Sequence, residues 1–570
     1  MNPIKMAKTV SELIYFRLTW NRRDTSYVPP GIDNPKFVSA RQAVGLIRDN
    51  DCVINSGIAS NARCSIFFWA IAERFAQTGG PRGLTWVVNA GQGGRGKAPG
   101  TLEELDAPGL ITRFISGHLE TFKSLLAAGQ EGRIEMHTLP QGVIAYLLEG
   151  QAEGKESILT DVGIGTFLDP RIGHGSLVSP GRGQSLVSVE GDRLRCRLPK
   201  INVALFSAPS ADPEGNIYVE NIATLTESRE SSLAARKNHG KVMVAVAEVK
   251  EKDEDKIFLP AKMIDAVVVN PRNEQVGGVK QRKYWPMFTE GAQEDIDESV
   301  AQVKFVNSFL RITPVRTEPE LAMARLVAAT FTMIARPGAN VNIGVGLPEE
   351  VSRLIYEGGL FQDVNFCTES GVYGGLPTAG VYFGAAINPK KLMSSAEIFH
   401  FCEDHLDVTI LGLLEADSEG NVNVSKRGEG PLNYVGPGGF TNLVSSAKKI
   451  IFIGSWMAGA KMVIQGGKLL IKKPGAHKFK EKVSQITMSG KRALELNKQV
   501  YYITNVGAFR LTPRGMELFK VMPGLDVKRD IVAPCPMKIV LPEDGPPATI
   551  DRAIVTGDGF RLQWRTGVNA

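Results

Sequence analysis

Glu369 is the residue whose type and setting most directly suggest chemistry. It lies in Asn365-Phe366-Cys367-Thr368-Glu369-Ser370-Gly371, an apolar run that breaks into a turn. A matching run, Trp86-Val87-Val88-Asn89-Ala90-Gly91, occurs in the first half of the chain. If the halves are duplicated, one strand end carries a carboxylate in one copy and an amide in the other. A shared fold needs the turn glycine in both copies but not the acid. The asymmetry points to chemistry at Glu369 rather than packing.

Other residues invite a chemical reading and are outweighed. Gly91-Gln92-Gly93-Gly94-Arg95-Gly96-Lys97 fits both GxGxxG and the core of a phosphate loop. The metal-binding hydroxyl is missing after Lys97, and Pro99-Gly100 breaks the helix that would hold the phosphate. His118 has the right chemistry for a base, but a structural histidine is the simpler reading. Cys367 has no histidine near it in sequence and reads as a packed thiol. Asp417 and Glu419 recur in the other half as Asp212 and Glu214, which favours a turn-capping role.

The elements that position Glu369 are visible as repeats. Ala211-Asp212-Pro213-Glu214-Gly215-Asn216 recurs as Ala416-Asp417-Ser418-Glu419-Gly420-Asn421. The preceding strands match, Asn202–Phe206 against Asp407–Leu411. Val242–Val246 after Ala235-Arg236-Lys237 resembles Ile450–Ile453 after Ala447-Lys448-Lys449. Val53-Ile54-Asn55-Ser56-Gly57 resembles Asn342-Ile343-Gly344-Val345-Gly346. A long repeat present twice is a fused pair of homologous domains, with extra sequence in the first copy between about residues 92 and 200. Val341–Ile343 reads as a strand, Gly344–Leu347 as a turn, and Pro348 as the start of a helix that ends at Gly358-Gly359. Strand and helix alternate, so the fold class is α/β with largely parallel sheets. Ligands of such sheets bind beyond the carboxyl ends of the strands, where Glu369 falls. The expected division is a 1–36 extension, a 37–290 domain, a 291–318 linker, a 319–545 domain carrying the glutamate, and a 546–570 tail.

Composition sets the outer limits. The chain has 570 residues, 43% hydrophobic and 22% charged, with a formal net charge of +6. Such a chain buries large cores. The short basic run Lys280-Gln281-Arg282-Lys283 reads as a solvated loop, so no nucleic-acid partner is expected. The 6 cysteines and 7 histidines show neither CxxC nor HExxH spacing, which predicts reduced thiols, no metal and a cytoplasmic protein. No apolar run reaches the ~18–20 residues of a membrane span, and no signal-peptide core precedes Asn21-Arg22-Arg23-Asp24. No membrane association is expected.

Over about residues 37–545 the chain resembles the family I coenzyme A-transferases of the fused single-chain type, near the short-chain acyl-CoA members acting on acetate, propionate or acetoacetyl-CoA. The pieces that carry the resemblance include Gly344-Val345-Gly346-Leu347-Pro348, Glu369-Ser370-Gly371, Glu419-Gly420-Asn421-Val422-Asn423-Val424-Ser425 and Gly436-Pro437-Gly438-Gly439-Phe440. Leu139-Pro140-Gln141-Gly142 and Gly163-Ile164-Gly165-Thr166-Phe167 complete them in family order.

The resemblance implies two homologous CoA-transferase domains, each with a mostly parallel sheet and flanking helices. It implies Glu369 as covalent nucleophile and Gln141 and Gly439, with Gly438 adjacent, as the oxyanion site. It assigns Asn342, Gly344, Gly346, Gly371 and Lys391 to CoA and substrate binding. The implied reaction moves CoA between a short-chain acyl-CoA and a free carboxylic acid, ping-pong, through a glutamyl-CoA thioester. CoA is then a carrier substrate, no cofactor is permanently bound, and the protein is a homodimer or homotetramer. The chain departs from the family at Ser56–Arg63, at Glu403-Asp404-His405 and at Asn505. An acyl-CoA hydrolase and a non-catalytic acyl-CoA-binding protein are the alternatives.

Overall fold

The computed structural model describes residues 3–19, 21–93, 98–179 and 182–564. Residues Gly94–Lys97 of the phosphate-loop-like run lie outside them.

Two large sheets carry the two halves. The first runs, in spatial order, Ala266–Val269, Lys241–Val249, Val203–Ala211, Cys52–Asn55, Leu84–Val88, Ile111–Ser116 and Glu135–Thr138. All these neighbours are parallel, and Ile217–Tyr218 adds one antiparallel pairing. The second runs Gln499–Ile503, Lys449–Ile453, Val408–Gly412, Ala339–Ile343 and Val364–Cys367, again parallel. These five strands occupy the places of the first five of the other sheet. Each quoted sequence repeat therefore falls on equivalent strands.

Beyond this shared set the halves diverge. The first extends its sheet by two more parallel strands drawn from its extra sequence. That stretch also folds a small antiparallel sheet from Ser157–Thr160, Arg193–Arg197 and Val187–Glu190. The second half instead adds antiparallel edges, Val372–Tyr373 and Lys391–Leu392 on one side and Gly507–Thr512 and Gly515–Val521 on the other.

The parallel strands are apolar because helices cover both faces. Side chains of the first sheet alternate between two cores: Val53 and Leu205 enter one, Ile54 and Ala204 the other. The helix Gln141–Ala152 packs against Ser228–Lys237 of its own half and against Ser395–His405 and Phe440–Ser446 of the other, so it is buried along most of its length.

Strand register fixes the correspondence at the chemical position. Val53 pairs with Val203 and Trp86, and Val341 with Val408 and Phe366. Counting on from Trp86 and Phe366 makes Asn89 the counterpart of Glu369. The glycine turns correspond with a shift of one residue from the sequence match. Ser56 N donates to Leu205 O as Gly344 N donates to Ile410 O, so Gly57 matches Val345.

The connecting segments are structured. Residues 291–318 contain the helix Ile296–Phe309, and the first 36 residues contain Pro3–Thr19. In the tail, Ala548–Thr549 joins the second sheet, and Trp564 Nε1 donates to Asp363 Oδ2 at 2.9 Å. No helix among the described residues is long and apolar enough to cross a membrane.

The recurring acidic turns are structural. Asp212 accepts from the N–H groups of Glu214, Gly215 and Asn216, from Asn216 Nδ2 and from Tyr218 Oη, all within 3.0 Å. Asp417 accepts from the N–H groups of Glu419, Asn421 and Val483 and from Asn421 Nδ2 at 3.0–3.3 Å. Asp417→Ala strands several buried donors, and a loss of roughly 2–4 kcal/mol is expected. Urea unfolding of the second half measures it. An unchanged midpoint contradicts the turn role.

Candidate active site

The turn after Val364–Cys367 is held from several sides. Gly371 N donates to Thr368 O at 3.1 Å, Val372 N donates to Thr368 Oγ1 at 3.2 Å, and Ser370 Oγ donates to Gly384 O. Gly371 has φ +94°, and a Cβ there would lie 1.9 Å from Met393 O. Only glycine fits, so its place is to let the turn pass under Met393.

The turn presents the half-buried Glu369 carboxylate to the start of the helix Phe440–Ser446. Gly439 N donates to Glu369 Oε2 at 3.3 Å. A Cβ on Gly439 would sit 2.6 Å from Glu369 Cδ, so this contact requires glycine although Gly439 has ordinary helical dihedrals. Burial pushes the Glu369 pKa up to about 7, against the Gly439 N–H, which favours the anion.

The first half meets this site through main-chain bonds. Gly438 N donates to Gly117 O at 2.7 Å, and Gln141 N donates to Gly438 O at 2.9 Å. Gly142 N donates to Asn442 Oδ1 at 3.1 Å. Gln141 is thereby locked at the first turn of its helix. Among the described residues its side-chain amide has no hydrogen-bond partner. Glu369, Gln141, Gly344, Gly346, Gly438 and Gly439 line one cleft of about 1140 Å³. The helix Ile296–Phe309 supplies another wall through Val300, Val303, Lys304 and Asn307.

The cleft thus holds a desolvated carboxyl against one backbone donor of its own half, in a wall that residues of both halves build. The sequence is 32% identical over 513 residues to the caffeate CoA-transferase of Acetobacterium woodii, covering 87% of this chain and 93% of that protein. The chain belongs to the coenzyme A-transferase family. The acetate CoA-transferase YdiF of Escherichia coli (strain K12) is 30% identical, covering 88% of this chain and 92% of that protein. A sequence model described as coenzyme A transferase matches residues 39–270. The crystal structure of the YdiF apoenzyme from E. coli O157:H7 superposes with a TM-score of 0.81 at 27% identity, covering 93% of this chain and 98% of that one. The thioester complex of YdiF with CoA superposes with a TM-score of 0.80.

The remaining sequence-expected positions of this CoA-transferase fall in different places. Asn342 lines a small cavity beside Glu369. Its amide donates to Cys367 O at 3.0 Å and its Oδ1 accepts from Thr409 Oγ1 at 3.2 Å, so it ties three strands together. Lys391 lies away from the cleft, exposed on a short edge strand paired with Val372–Tyr373. His118 lines the cleft, and burial depresses its basicity. Burial lifts the Cys367 thiol well above its ordinary range, which disfavours the thiolate. Asn505 serves packing, its Oδ1 accepting from Trp456 N at 2.9 Å.

Sequence reasoning missed Glu227. This buried acid immediately precedes the helix Ser228–Lys237, as Gly439 precedes Phe440–Ser446, without a side-chain capping bond. Its carboxyl accepts from Asn89 Nδ2, Gly57 N and Ser395 Oγ, each at 3.2 Å. The two halves therefore place their acids on opposite partners of the same contact. The repeat alignment held this signal, since helix starts can be matched as strand ends were.

Two outcomes are expected. Gly439→Ala should displace the carboxylate and lower exchange by at least about 10²-fold, because a ~1 Å misplacement costs that much; near-normal turnover contradicts the contact. Glu369 is also a stability term. Its folded pKa of about 7 exceeds the ordinary 4.5, so the native state loses stability as pH rises from about 4.5 through 7. Glu369→Gln should then gain on the order of 2 kcal/mol over the parent at pH 8 relative to pH 5. Thermal melts at both pH values check the sign.

Proposed function

We propose that this CoA-transferase moves CoA between a short-chain acyl-CoA and a free carboxylic acid through a covalent thioester on Glu369. The observation that carries this reading is the Glu369 carboxyl hydrogen-bonded to Gly439 N–H in a cleft shared with Gln141. The relatives named for caffeate and acetate support a carboxylic acid as acceptor.

The ionised carboxylate attacks the thioester carbonyl. The oxyanion formed is met by the free amide of Gln141. The C–S bond breaks, CoA leaves as thiolate, and a mixed anhydride links the acyl group to Glu369. The thiolate then attacks the Glu369 carbonyl. The oxygen that becomes negative is the one already receiving the Gly439 N–H, so this donor is in place before charge develops. The acid leaves as a carboxylate, and glutamyl-CoA remains. An incoming carboxylate reverses both steps. Each half-reaction conserves the thioester, which is nucleophilic catalysis with ping-pong order. Gly344 and Gly346 border the cleft, Asn342 lines the small cavity beside Glu369, and the three are proposed to contact the CoA arm. Binding energy from that long arm is available for use at the reacting carbon. The proposed protein works as a homo-oligomer in the cytoplasm without a bound cofactor.

The test is capture of the adduct. A short acyl-CoA is added without acceptor, followed by borohydride. Peptide mass spectrometry should find Glu369 reduced to the alcohol within Asn365–Gly371. Acetate added first should discharge and protect the enzyme. Glu369→Ala and Glu369→Gln should fall at least about 10³-fold, roughly 4 kcal/mol. Asn89→Ala should retain exchange, and Gln141→Ala should slow adduct formation without relocating it. The rate of adduct formation should rise with pH through about 7. Steady CoA release without acceptor favours the hydrolase, and label on Cys367 refutes the carboxylate mechanism.

A further inference from the structure

The loop Gly57–Arg63 is built unlike an ordinary connection. Gly57, Ala59 and Ala62 all have positive φ, at 120°, 50° and 52°. Left-handed alanines cost energy and persist where the surroundings enforce them, commonly at ligand sites. Here Ala59 N donates to Gly91 O at 2.8 Å, Ser60 Oγ to Val381 O at 2.6 Å, and Asn61 Nδ2 to Phe383 O at 2.8 Å. The loop thus joins both halves.

Two of its polar atoms are buried without a hydrogen-bond partner, Asn61 Oδ1 and Arg63 Nε. The Arg63 side chain is only 9% exposed, and one terminal nitrogen lies 3.6 Å from Glu274 Oε2. Glu274 is held in turn by Gly278 N at 2.8 Å. Arg63 is therefore charge-balanced by Glu274 and held in the wall of the cleft.

Arg63 lines the same cleft as Glu369. Its loop touches the nucleophile turn through one intermediary. Asn61 bonds Phe383 O, and the adjacent Gly384 O receives Ser370 Oγ, the neighbour of Glu369. Val381 and Phe383 also line the cleft. The cleft's exposed cations, Lys123, Lys304 and Arg427, lie on other elements. Solvated phosphates of CoA suit those positions. A nine-tenths buried guanidinium suits the small acyl end.

We propose that Arg63 is a specificity residue whose guanidinium donates through a terminal nitrogen to an oxygen carried by the acyl group away from the thioester. The enzyme then transfers hydroxy-, oxo- or dicarboxylic acids in preference to plain alkanoic acids of equal length. This rests on the reading of Glu369 as nucleophile.

The experiment compares kcat/KM for 3-hydroxybutyryl-CoA, succinyl-CoA and butyryl-CoA, with acetate as acceptor. Wild type should favour at least one oxygenated donor. Arg63→Lys keeps the charge and lacks the planar pair of terminal nitrogens. Arg63→Met with Glu274→Gln removes both charges, so no lone carboxylate is left buried. Both variants should lower the oxygenated-to-plain ratio by about 10- to 100-fold, the range for one hydrogen bond to a charged group. An equal fall for all three donors, or no wild-type preference, overturns the proposal. Borohydride capture with butyryl-CoA is scored on the same samples. Reduced Glu369 with an unmoved ratio refutes the role of Arg63 alone. Absence of the adduct in wild type refutes the nucleophile.

Discussion

The contact between Glu369 and the Gly439 N–H is the constraint around which the site is arranged. It brings a carboxyl group against the start of a helix at a distance that excludes even one methyl group. Such closeness leaves little room for water, and burial lifts the acid towards neutrality. The same closeness supplies a donor fixed by the backbone. An acid that is hard to ionise and an amide that stabilises the anion are opposing terms. Their balance leaves the carboxyl able to change charge near pH 7. Three hydrogen bonds from the segments around Gly117 and Gln141 to Gly438 and Asn442 hold the other half against this contact. Their geometry cannot drift without disturbing the acid.

Duplication explains how such a contact arises and why it occurs once. Both halves pair a strand end with a helix start. In one, the strand end brings the acid and the helix start brings glycine. In the other, Asn89 faces Glu227, and the acid sits on the helix side. That second acid accepts from Asn89, Gly57 and Ser395. Burial raises its pKa to about 7 as well. Its oxygens are engaged by fixed neighbours from both halves, so it joins the halves where Glu369 faces the cleft.

Much of this arrangement is legible in the residues. The repeats of Asp212 and Asp417 and of the strands before them place five strands in each sheet in the same order, because apolar runs and turn acids are local signals. The grouping of Glu369, Gln141 and Gly439 follows from motif order. What local pattern does not carry is long-range. Lys391 sits in a plausible motif, yet it falls on an edge strand and is not among the described residues lining the cleft. The segment 291–318 looks like a linker because its charges and glycine suggest solvent, whereas Val300, Val303 and Val306 make a packed helix. Glu227 and Arg63 resemble ordinary surface charges in sequence. Their burial depends on elements more than a hundred residues away, on Ser395 for one and on Glu274 for the other.

The helix Ile296–Phe309 bears on how the protein comes into being. It is the bridge between the halves and also a wall of the cleft. During synthesis the segment with Gln141 emerges first, the bridge second and the glutamate last. Gln141 is thus made long before Gly438, whose carbonyl its main-chain N–H binds. The tether keeps the second half at high effective concentration once it appears. The cleft is complete only when all three parts are present, so a chain that stops early lacks one of its walls.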